Sequence, residues 1–194
     1  MGLLDRSLPG EGRRGVTVAA AVGVVALLAA GLLAWLTLGG GDEDSAATPP
    51  AGNHPVTVVS RAGGFSVRVP GDLTGTRNGR SIQVATPDKT LLINVGPGPR
   101  RSLADAQASA LRAVKQAYRQ VRVEKGTATR MGGLPARRSV GTLARDDGGQ
   151  LVFSVTTAAK GGRTWSVVMF ATRDVTTEQL DEWYQPVLDG FRAL

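Results

Sequence analysis

The chain of 194 residues contains no cysteine and one histidine. The first absence excludes a disulfide framework, a thiolate nucleophile, a thiolate metal site and lipidation of an N-terminal cysteine. An exported domain of this composition must hold together by its core. The second absence leaves His54, beside Pro55, without a histidine partner, which removes most Ser-His and histidine–metal chemistry. A phosphate-cradling loop is missing too, because no Gly-Lys-Ser/Thr follows Gly96-Pro97-Gly98-Pro99. No catalytic residue, metal ligand or cofactor site emerges, so the expectation is a protein that is not an enzyme and carries no cofactor.

Charge is absent from Gly15 to Leu38. As a helix, that run spans about 36 Å, enough for a hydrocarbon core of about 30 Å with some tilt. A cleavable signal has a shorter apolar region, about 7–15 residues, and a small-x-small site soon after it. Here Gly39-Gly40-Gly41 and Asp42-Glu43-Asp44 follow, with no Ala-x-Ala at the exit. The run predicts an uncleaved transmembrane signal anchor over 15–38, with cleavage near Ser45-Ala46-Ala47 as the alternative. Arg6, Arg13 and Arg14 precede the span, and the first basic residue after it is Arg61. The positive-inside rule therefore puts residues 1–14 in the cytoplasm and the rest outside the plasma membrane. Small residues spaced by four (Gly15, Ala19, Gly23; Ala26, Ala30, Ala34) would let two such helices approach and form a homo-oligomer, although an Ala- and Gly-rich span also produces that spacing by chance.

Residues 39–55 are polar, rich in Gly, Pro and Ala and without periodicity, which predicts a flexible linker with a reach of roughly 20–25 Å. Residues 56–194 then form one domain with enough chain for a real core. Charge divides sharply along the chain. Residues 1–52 hold three Arg against five acids, whereas residues 53–194 hold twenty Lys and Arg against eleven acids. Outside a membrane, the counterparts of a basic domain are anionic lipid, cell-wall polymer or acidic protein. Nucleic acid is not expected as a partner, and a solvated arginine-rich surface is the plain alternative.

The periodicities predict an α+β fold. Phe65, Val67 and Val69 alternate with polar neighbours, as do Ile82 and Val84, and Leu91, Ile93 and Val95. With Asn78-Gly79 and Pro87-Asp88-Lys89 as turns, these three segments predict a meander. Leu103, Ala106, Ala110, Val114, Ala117 and Tyr118 follow helical spacing behind a capping-box-like Ser102…Asp105, which predicts a helix over 103–119. Strands dominate Val121 to Thr172, with hairpin turns at Asp146–Gly149 and Lys160–Arg163. A last helix starts at Thr176 or Thr177 and carries the stripe Leu180, Trp183, Tyr184, Val187, Leu188 and Phe191; Pro186 should kink or split it. Hairpins rather than crossovers imply an antiparallel sheet packed against two amphipathic helices, an α/β/α sandwich-like arrangement.

The stretches FSVRVPGDL and YQPVLDGFRAL, bracketing hairpins and a mid-chain helix, resemble the PsbP-like fold of the photosystem subunit P, the DcrB-type lipoproteins and the LpqN-type proteins. Relatives often carry an aromatic where Gly71-Asp72 stand, and Ser-Phe where Gly190-Phe191 stand. A membrane helix would take the place of their lipid anchor. The resemblance implies a module that binds or assembles other proteins without enzymatic activity.

Arg100 and Arg101 precede the first domain helix, whose free amides favour an anion, and Arg137-Arg138 add charge. These four are the candidate anion or partner contacts. Asp146-Asp147 are explained by a turn, Glu178, Asp181 and Glu182 by a helix N-terminus, and Trp165, Trp183 and Tyr184 by core packing. The leading expectation is a membrane-anchored extracytoplasmic module for an envelope protein partner. A carrier or sensor holding a lipid between helix and sheet is the alternative. A cell-wall hydrolase comes third, because it needs Asp72, Asp88, Asp146, Asp147 or Asp174 paired in one cleft.

Overall fold

A computed structural model describes residues 47–48, 54–145 and 147–194. The anchor expected at 15–38 lies outside the described residues. Among those described, no helix is long and apolar enough to cross a membrane.

The elements run β1 (Ala47–Thr48), β2 (Val56–Ser60), β3 (Phe65–Val69), β4 (Thr74–Asn78), β5 (Ser81–Ala85), β6 (Leu91–Pro97), α1 (Leu103–Ala117), β7 (Arg119–Val123), β8 (Thr127–Met131), β9 (Leu134–Ala144), β10 (Gln150–Lys160), β11 (Arg163–Thr172), α2 (Thr177–Asp189) and β12 (Arg192–Ala193). The large sheet has the order β1-β4-β5-β6-β11-β10-β9-β7, with β8 also on β9; a small sheet has the order β12-β3-β2. Every pairing is antiparallel. Two-residue Gly-Gly loops close β8–β9 and β10–β11, and all four glycines have positive φ (56° and 82°, 56° and 72°), the geometry that matches strand twist.

The helices take opposite faces of the large sheet. Ala110 and Val114 of α1 pack on Leu143, Leu151, Phe153, Val155, Val168 and Phe170. Tyr184, Val187 and Leu188 of α2 join Phe65, Val67 and Val69 of the small sheet over Ile82, Ile93, Val95, Val167 and Met169. Strand β10 is therefore buried on both faces through its middle. This is the expected α+β sandwich, with the small sheet sharing one layer with α2.

Two expectations change. The meander consists of β4, β5 and β6, and β3 does not belong to it. Instead β3 pairs with β2 and with the C-terminal β12, because the turn at Pro70–Leu73 carries the chain to the other layer. Pro186 does not split α2. The helix continues through it to Asp189, although Pro186 has no N–H for the Glu182 carbonyl. A full capping box starts that helix: Thr176 Oγ1 accepts from the Gln179 N–H at 3.3 Å, and Gln179 Oε1 accepts from the Thr176 N–H at 2.9 Å. At α1, Ser102 Oγ accepts from the Asp105 N–H at 3.1 Å and donates to the Asp105 carboxylate at 2.7 Å. That helix ends at Ala117, two residues short of the expected end.

Candidate functional site: a basic sheet edge and two cavities

Residues 100–145, which run from the turn before α1 to the end of β9, hold eleven Lys and Arg against two acids. Residues 174–189, essentially α2, hold five acids and no Lys or Arg. The net positive charge of the domain thus falls within residues 100–145, and part of it lines one edge of the large sheet. Strands β7 and β8 both line β9 there, and α1 lies beside them. Arg112, Lys115, Arg122, Lys125, Arg130 and Arg137 are exposed, on both sides of the edge. The register of β7 on β9 shifts between Arg119 and Arg122, around Gln120 at φ 51°. A bulge and a row of cations deter the edge from pairing with another strand while leaving a strong positive field.

The four arginines singled out in the sequence do not converge. Arg100 and Arg101 are exposed in the turn before Ser102. Arg137 and Arg138 are consecutive in β9, so they point to opposite faces. Arg137 shares its face with Ser139, which accepts a hydrogen bond from Gln107 of α1 at 3.2 Å. Arg138 turns toward α2: its Nε donates to Ser154 Oγ at 3.1 Å, and its guanidinium carbon lies 5.2 Å from the Tyr184 ring centre. The Tyr184 hydroxyl meets Thr156 Oγ1 at 3.0 Å and Ser154 Oγ at 3.4 Å. Ser154 and Thr156 are fully buried, and burial pushes the Tyr184 hydroxyl above its ordinary pKa. Arg138 belongs to a buried polar network that joins α2 to the sheet.

Two cavities flank the core. The first, about 70 Å³, lies between α1, the inner end of the Gly96–Pro99 segment and strands β5 and β6, and Gln83 and Asn94 line it. The Nε2 of Gln83 and the Nδ2 of Asn94 are buried there without a hydrogen-bond partner among the described residues. Sequence reading missed both residues, because alternating polar positions on a strand look solvent-facing. At about 70 Å³ this gap is about half the volume that accepts a benzene ring, well short of an acyl chain. The second is an open groove of about 780 Å³ between α2 and the small sheet, lined by Arg68, Arg192, Asp72, Glu182 and Asp189.

The described acids of the hydrolase reading do not share a cleft. Asp72 lies in the open groove and accepts from Trp183 Nε1 at 2.6 Å. Asp88 sits in the β5–β6 turn, its carboxyl held below the ordinary range by the hydroxyl of Thr86 and by the amide and hydroxyl of Thr90. Asp147 pairs with Arg145 at 2.7 Å in the β9–β10 turn, Asp174 precedes α2, and Asp146 lies outside the described residues. Among the described residues, no group of three His, Asp or Glu could hold a metal ion.

No family model matches the sequence, and no curated protein matches it. Among solved structures, cyanobacterial PsbP (CyanoP) from Synechocystis sp. PCC 6803 superposes with a TM-score of 0.50 at 12% identity, over 81% of this chain and 99% of that one. The fold is PsbP-like. A crystal structure from Bacteroides thetaiotaomicron VPI-5482 matches this PsbP-like domain with a TM-score of 0.52 and 14% identity. That match covers 71% of this chain and 48% of the other, so the domain spans about half the length of that neighbour. LpqN of Mycobacterium tuberculosis, described as involved in cell envelope biogenesis, is similar at a TM-score of 0.43 and 14% identity, over 71% and 89% of the two chains.

Proposed function

We propose that this protein is a membrane-anchored, extracytoplasmic PsbP-like module without enzymatic activity, and that it docks an envelope protein through its basic sheet edge. The observation that carries the reading is the segregation of charge: eleven cations against two acids in residues 100–145, beside an acidic α2. Such a field steers an acidic partner and orients it before contact. The charge-free run at 15–38 supports the anchor, and Arg6, Arg13 and Arg14 before it, with no basic residue after it until Arg61, support an outside domain.

A photo-crosslinking amino acid placed at Lys125 or Arg130 is expected to capture one discrete protein in the native membrane, and the same residue at Glu178 is expected to capture none. Capture from Glu178 alone, or capture of only lipid or glycan from the edge, would contradict the reading.

A further inference from the structure

Gln83 and Asn94 are directly opposed across β5 and β6, which sets their Cβ atoms about 5 Å apart. Their amide nitrogens are buried, lack partners among the described residues and belong to side chains that line one cavity. Buried donors are nearly always satisfied, so two bare ones side by side point to something that binds there.

The rest of the wall narrows the chemistry. Ser81 and Ser109 bring hydroxyls, Ala110, Val168 and Pro97 bring apolar surface, and no charged side chain lines the cavity among the described residues. An ionised group would lose its hydration there with no counter-charge, which disfavours a carboxylate or phosphate. A void of 70 Å³ is about half the volume that accepts a benzene ring, so it suits a terminal group of about three or four heavy atoms. That group must accept from two amide donors, offer a hydrogen to a hydroxyl and end in a methyl-sized apolar part. We propose that this cavity binds an acetamido group, the N-acetyl end of a larger ligand whose remainder lies outside. The carbonyl oxygen takes the amide hydrogens of Gln83 and Asn94, and the methyl lies toward Ala110 and Val168. Water would satisfy the donors but leave the apolar half of the wall unused. The proposal is independent of the basic edge.

Saturation-transfer NMR on the full-length protein tests it, with N-acetylglucosamine and Nε-acetyl-lysine as probes and glucosamine and lysine as controls. Both acetyl methyls are expected to saturate, and the controls are not. Saturation by the sugar alone would support the site and assign its source to amino sugars. Gln83→Leu and Asn94→Leu are each expected to weaken binding roughly tenfold. Their melting temperatures should not fall, because each replaces a bare buried donor with an apolar group. Ser109→Met, which closes the cavity from the helix side, should also abolish binding. No saturation of either acetyl methyl, equal saturation of glucosamine, or undiminished binding in the Asn94 and Ser109 variants would overturn the proposal.

Discussion

Arg137 and Arg138 are neighbours in sequence and opposites in role, and replacing each with alanine separates the two. Arg138→Ala removes a charged donor from Ser154 Oγ and the cation over the Tyr184 ring. It also exposes part of a network in which Ser154 and Thr156 are fully buried. A charged hydrogen bond contributes about 1.5–3 kcal/mol and a half-exposed cation–π contact about 0.5–1 kcal/mol; solvent at the partly exposed arginine reduces both. A net loss of about 2 kcal/mol follows, and for a domain of this size that lowers the melting temperature by about 6 °C. Arg137 is exposed on the other face and makes no ion pair with a described residue, so Arg137→Ala should stay within about 0.5 kcal/mol of wild type. Partner capture should respond in reverse, unchanged at low temperature in Arg138→Ala and reduced in Arg137→Ala. Urea and thermal melts of both variants, beside crosslinking yields, decide it. Equal melting temperatures, or a destabilised Arg137→Ala, would refute the assignment of faces.

Further outcomes follow from the same packing. Burial raises the pKa of both Tyr118 and Tyr184 above the ordinary 10.0. Their stabilisation is therefore complete below about pH 10 and is lost as pH rises past it, because the unfolded tyrosine ionises first. Tyr118→Phe should flatten the alkaline limb of a stability–pH profile without loss at pH 7, whereas Tyr184→Phe should also cost about 1–2 kcal/mol at neutral pH by stranding Thr156. Phe153→Ala empties the centre of the layer under α1 and should cost about 3–5 kcal/mol in urea melts. At Gly190, a Cβ would collide with Cβ of Arg68 and crowd the Pro186 carbonyl, so Gly190→Ala should destabilise the α2–β12 exit by about 1–3 kcal/mol. Alkaline phosphatase fused after Leu194 should be active, and carbonate extraction should leave the fusion with the membrane; an inactive fusion would reverse the topology.

What was legible depended on how locally each feature was encoded. Phe65, Val67 and Val69, the stripe on α1 and the paired glycines at 161–162 announce their elements within a few residues, and all three appear as expected. Strand β4, Thr-Gly-Thr-Arg-Asn, has no apolar side chain; it is held by ladder hydrogen bonds and by the fit of Gly75 under Val58 and Val69, which no periodicity displays. Strand β2, Val-Thr-Val-Val-Ser, begins directly after the expected linker and is too short to stand out by its periodicity. One of the two partners of β3 lies more than a hundred residues away in β12, so the sheet to which it belongs is in part a tertiary choice. The basic domain was visible as a net count, but its concentration at one edge required knowing that β7 and β8 both line β9. Gln83 and Asn94 were invisible because a polar residue on a strand signals solvent unless something covers it.

The most direct measurement is crosslinking of the full-length protein in its native membrane at low and at high salt, followed by identification of what is captured. The Debye length falls from about 10 Å at 0.1 M to about 3 Å at 1 M, so a contact made through the basic edge should weaken steeply. One discrete protein captured at low salt and lost at high salt is the expected result. Capture of lipid or glycan alone, of a protein indifferent to salt, or of nothing specific would contradict docking of an envelope protein through the basic edge.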